Sequence, residues 1–171
     1  MINTTERTYL SNLLKESETK LIAALENTND EDFVAKPFED RWSLAMLVEH
    51  IMITDKSLLR GIYKQAAKEL GDDIPKTSPD EKVAKAAMNR TIKVKAPSFL
   101  EPKGIFKTKK EAFAAFRKNR AVIEEFVATT DLPLEKIAFK HFVFGLLNGK
   151  NWIAFMAAHC NRHIEQIKEA L

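Results

Sequence analysis

Apolar side chains recur along most of the chain at the three- and four-residue spacing that lines up one face of an α-helix. Over residues 4–26 the stripe is Leu10, Leu13, Leu14, Leu21 and Leu25, and the polar run at 27–30 supplies a stop. A connector over 33–41 contains Pro37. The second stripe, Leu44, Leu47, Ile51, Leu58 and Ile62, predicts a helix that opens at Ser43 and closes near residues 70–71, where Gly71 stands. At about 1.5 Å per residue that helix is roughly 40 Å long, a full bundle length.

Residues 72–107 differ in character. Pro75, Pro79, Pro97 and Pro102 interrupt them, leaving room for a helical turn or two around 81–88. A connection of this length lets the helices on either side run parallel instead of closing a tight hairpin. The next helix has the clearest start, Thr108-Lys-Lys-Glu111, which matches a capping box. Its stripe is Phe113, Phe116, Arg120, Ile123 and Val127, and Asp131 and Pro133 end it. A Phe-rich connector leads to a turn at Asn148-Gly149, with Asn151 as the expected cap of a last helix through Ile153, Met156, Cys160, Ile164 and Ile167. The pattern is an all-α four-helix bundle with a long crossover between helices 2 and 3. It shows neither a repeat nor a second domain, so residues 1–171 read as one domain.

Composition narrows the function classes. The chain is 45% hydrophobic and 30% charged, an ordinary balance for a folded domain. A net charge of +3 with Lys and Glu interleaved argues against a nucleic-acid partner. No apolar run approaches the roughly 18 residues of a membrane helix, and the first residues lack a basic and then apolar leader. Cys160 is the single cysteine, so no intramolecular disulfide can form. The expected location is the cytoplasm.

The chemistry concentrates in histidine. His159 and His163 are four apart, which stacks their rings one turn apart on one side of the last helix. By itself such a pair is more often packing than ligation. His50, three residues after Leu47, borders the apolar stripe of the second helix. A buried imidazole costs free energy unless both nitrogens find partners, and one divalent ion satisfies three ring nitrogens at once. Three protein ligands leave a position for water, as in catalytic zinc sites.

Trp42-Ser43, then six residues, then His50 resembles the first signature of the DinB-like four-helix bundle superfamily. Phe144-Gly145-Leu146-Leu147 followed by His159, His163 and Gln166 resembles its second. The similarity spans the whole chain. It implies a bundle with a long crossover and a metal, zinc first with nickel or iron as alternatives, held by His50, His159 and His163. It also implies homodimers, a small-molecule substrate and, in some relatives, a low-molecular-weight thiol as co-substrate for S-transfer.

Other residues carry two readings each. Gln166 either orients a ligand or bound water or is solvated on the helix surface. Glu49, about 100° round the helix from His50, reads as solvent-facing rather than as support for the site. Arg120 within an apolar stripe calls for a structural ion pair, or else anchors an anionic substrate. Trp42 reads as core or pocket wall, Cys160 as a small core residue, and His141 as no ligand. Two functions follow from different classes: a metal-dependent transferase or hydrolase, and a non-catalytic bundle that dimerises or binds a partner.

Overall fold

The computed structural model describes residues 2–89, 91 and 95–171, the side chain of Asp80 excepted. In chain order the helices are α1 (Thr4–Leu25), α2 (Asp30–Val34), α3 (Leu44–Ala66), α4 (Asp80–Met88), α5 (Lys109–Thr129) and α6 (Gly149–Ala170). A 3₁₀ turn spans Ser98–Leu100, and strands β1 (Ala138–His141) and β2 (Gly145–Asn148) stand between α5 and α6. The four long helices α1, α3, α5 and α6 form the bundle. Both α1 and α3 pack on α5 and on α6, which sets α1 diagonal to α3.

Each long helix starts where a side chain satisfies an orphan amide of its first turn. Asn3 and Glu6 form a reciprocal capping box on α1, and Ser43 Oγ accepts from Met46 N at 3.2 Å on α3. On α5 only half of the expected box forms. Thr108 accepts from Glu111 N, but the Glu111 carboxylate takes the N–H of Lys107 instead. For α6 the cap is Asn148, not Asn151; Asn151 is the third helical residue, and its side chain returns the bond to Asn148 N at 3.0 Å. Helix α3 stops at Ala66, one turn before the expected end at Gly71.

Two elements depart from the sequence expectation. The connector after α1 folds as the short helix α2, capped by Asn29 and seating a buried Phe33. The Phe-rich connector before α6 is an antiparallel hairpin pairing Ala138 with Asn148 and His141 with Gly145. Three residues link its strands, and Gly145 at φ +75° supplies the left-handed residue that such a turn requires.

The core has two apolar clusters. One gathers Leu10, Leu14, Ile62, Ile123 and Met156, the other Leu21, Val48, Ile51, Phe116 and Ile164. Between them along the helices lie Ser17, Asp55 and Arg120, all fully buried. Helix α6 is central: it packs on α1, α3, α4 and β2, and its first half is buried on every side.

Candidate metal centre

Three imidazoles meet between α3 and α6. His50, His159 and His163 each present one ring nitrogen, and these three atoms lie within 4.8 Å of one another. His159 Nε2 and His163 Nε2 are 3.0 Å apart. Nitrogens about 2.0–2.1 Å from a tetrahedral ion stand about 3.3 Å from each other, so this pair is already at ligand spacing.

The opposite nitrogens fix the tautomers. His50 Nδ1–H donates to the carbonyl of Leu100 at 2.8 Å, and His163 Nδ1–H donates to Gln166 Oε1 at 2.6 Å. Both rings therefore turn an Nε2 lone pair toward the common point. Burial lowers the pKa of His50, partly offset by the bond to Leu100. His159 is pushed well below the usual histidine range, first by burial and then by repulsion from His163 and His50. Imidazole nitrogens converging in a largely buried site suit a divalent cation, and the residues present fit one.

The crossover supplies the carbonyl that holds His50, and Glu49 secures that crossover. Its carboxylate is buried and accepts the backbone amides of Lys103 (2.9 Å), Gly104 (2.8 Å) and Ile105 (3.1 Å). Gly104, at φ +72°, turns these successive amides to one side. The solvent-facing reading of Glu49 is thus overturned, because the crossover covers the flank of α3 that the helix pattern leaves polar. Gln166 contacts His163 and orients its ring. Trp42 lies 4.8 Å from the His50 ring and forms pocket wall.

The sequence matches the DinB superfamily over residues 13–167. The chain belongs to the DinB superfamily. Among curated relatives, the uncharacterized protein YuaE of Bacillus subtilis (strain 168) is 29% identical over 149 residues, covering 85% of this chain and 86% of YuaE. Two solved structures share the fold at a TM-score of 0.60 each. One is TT2238, a four-helix bundle protein, at 20% identity over 95% of this chain and 98% of its own. The other is YfiT from Bacillus subtilis, described as a probable metal-dependent hydrolase with an unusual four-helix bundle topology, at 18% identity over 99% of this chain and 88% of its own.

In this DinB bundle the three histidines line a cavity of about 490 Å³. Trp152 and Phe155 of α6, Phe139 of β1 and Leu100 of the crossover complete much of its wall. The sequence reading missed them, although Trp152, Phe155, His159, His163 and Gln166 form a 3-4-4-3 stripe on α6. The eye follows the aliphatic stripe through Ile153, Met156 and Ile164 instead, since α6 is buried on both faces.

Arg120 stands apart from this cavity. Its Nε is 3.3 Å from Asp55 Oδ2, both side chains are fully buried, and Asn119 Nδ2 donates to the same oxygen at 3.3 Å. That is an ion pair inside the core, with the guanidinium 5.1 Å from the Phe116 ring centre. Cys160 is buried, its Sγ lies 3.6 Å from Ser17 O, and burial pushes its thiol up to about 11, so it packs as a small core residue. His141 lies outside the three-histidine cluster, on the wall of the same cavity. Among the described residues no helix is long and apolar enough to cross a membrane.

Proposed function

We propose that this chain is a divalent-metal-dependent enzyme acting on a small molecule, with the ion held by Nε2 of His50, His159 and His163. The observation that carries the reading is the convergence of three imidazoles on the wall of one apolar cavity. An ion with three neutral ligands keeps its full charge, and so supplies Lewis acidity to the water or thiol that takes its open position. The chain's own contribution is orientation and exclusion. Leu100 and Gln166 lock the tautomers of His50 and His163. Trp42, Trp152 and Phe155 keep the surroundings dry, which strengthens every electrostatic interaction there.

Hydrolysis and transfer to a low-molecular-weight thiol both suit such a centre. The likeness to YfiT ranks hydrolysis first, and zinc is the ion we expect from the ligand set. Elemental analysis of protein purified without an affinity tag tests the reading. One ion per chain is expected in the wild type, and its loss is expected in His50→Ala while the helical circular dichroism stays unchanged. Substoichiometric metal even after reconstitution would refute it.

A further inference from the structure

The cavity beside the histidines is selective in what it offers a ligand. Its walls are dominated by rings, including Trp42, Phe139, Trp152 and Phe155. Among the described residues no carboxylate lines it, so a cationic ligand meets no counter-charge. Of the described lysine and arginine side chains on the wall, Lys140 is exposed, and Arg162 spends Nη1 on the carbonyls of Ala87 (3.2 Å) and Asn89 (2.7 Å). A volume of about 490 Å³ is in the range that holds compact organic molecules.

Two N–H donors from residues of this wall have no acceptor among the described residues, one of them buried and the other half-buried. Trp152 is 3% exposed, and its Nε1–H is buried with no partner among the described residues. His141 accepts the amides of Val143 (3.0 Å) and Phe144 (3.3 Å) on Nδ1, which forces the proton onto Nε2. No described group takes up that Nε2–H. The two rings lie 5.6 Å apart, and Phe155 stands between His141 (5.0 Å) and the ligand ring of His159 (5.6 Å). The His141 ring also lies parallel to Phe142 and Phe144, each 4.5 Å away, which fixes its plane. Burial lowers its pKa to about 4, so it remains a neutral donor through the physiological range.

We propose that the cavity takes an uncharged, flat aromatic molecule bearing a carbonyl-type oxygen, which the N–H groups of His141 and Trp152 hydrogen-bond. Apolar walls recognise the ring by area and stacking, the half-buried His141 adds a directed donor, and the buried Trp152 N–H, left without an acceptor among the described residues, carries a free-energy cost that such an oxygen removes. That the bound molecule is a substrate rests on the function proposed above; that it binds does not.

A direct test titrates the protein with 6-propionyl-2-dimethylaminonaphthalene, a neutral naphthyl ketone whose emission moves to the blue when its carbonyl loses a hydrogen-bond donor. Both tryptophans of the chain line the cavity, so energy transfer from them reports occupancy. Saturable binding is expected in the wild-type protein both after chelator treatment and after loading with zinc, which separates this inference from the metal reading. In His141→Asn the amide oxygen still caps the turn, and in Trp152→Phe the ring still packs on Phe139. Each variant is expected to bind about fivefold more weakly with bluer bound emission. Ser57→Phe, which fills the cavity from α3, is expected to abolish transfer and covers the case in which a donor variant fails to fold. Absence of saturable binding, unshifted emission in both donor variants, or tighter binding of a naphthalenesulfonate anion would each overturn the proposal.

Discussion

Replacing Glu49 by alanine removes one carboxylate and strands three backbone amides, those of Lys103, Gly104 and Ile105. Hydrogen bonds to a charged acceptor contribute roughly 1.5–3 kcal/mol each when fully buried. These are part-buried, and water recovers some of each amide once the carboxylate is gone. A total of about 3 kcal/mol follows, which for a chain of this size is about 6–12 °C in Tm. Glu49→Gln keeps one acceptor oxygen and turns an NH2 group toward the remaining amides, so about half that loss is expected. The same loop carries the carbonyl that holds His50, so zinc affinity should fall along with Tm. Thermal melts of the metal-free forms give the first quantity, and competition against a chromogenic chelator gives the second. A Tm shift below about 2 °C for the alanine variant, with affinity unchanged, would show that the clasp does not hold the crossover in place.

Gln166→Ala deprives His163 Nδ1–H of its acceptor and is expected to weaken zinc binding about 10–100-fold with little change in helicity, read by chelator competition and circular dichroism. Arg120→Met leaves Asp55 buried without its cation and should cost about 3–5 kcal/mol, whereas Arg120→Met with Asp55→Leu should cost far less than the two single changes combined; urea unfolding of the wild type, both single variants and the double variant measures the coupling. Gly61→Ala places a methyl 2.9 Å from Phe139 Cζ and is expected to destabilise by about 1–3 kcal/mol while displacing the hairpin that walls the cavity, checked by urea unfolding and ketone binding. The folded His141 pKa of about 4 lies below its unfolded value of 6.5, so the unfolded chain binds more protons between those values. Stability from this group is present above pH 6.5 and lost as pH falls toward 4, on the order of 1–2 kcal/mol after discounting for the ring's partial exposure. Urea midpoints at neutral and acid pH should therefore converge more in His141→Asn than in the wild type.

The four long helices were legible because each buries a stripe of the right period and starts at a side chain that caps it. Ser43 and Thr108 announce their helices without help from the rest of the molecule. The pair His159 and His163 was legible for the same local reason, since helical geometry alone puts both rings on one side. What escaped notice depends on contacts distant in sequence. Glu49 reads as polar surface until a loop more than fifty residues away lays three amides on it. The hairpin has four-residue strands and a turn without an Asn-Gly pair, too little for a periodic signal. Asn151 reads as the cap three positions too late, because either asparagine of the reciprocal Asn148–Asn151 pair satisfies the local pattern. The aromatic wall on α6 was hidden by a second, aliphatic stripe on the same helix.

His163 is steadied from within its own helix, but the carbonyl that steadies His50 comes from the crossover. The two therefore fail under different stresses. Lifting the 98–105 segment off α3 frees the first imidazole while the hydrogen bonds of α3 and α6 stay intact. An ion held there would escape at the rate of that small excursion, well before the bundle melts. Proteolytic nicking of the loop would then empty the centre and leave the helices standing.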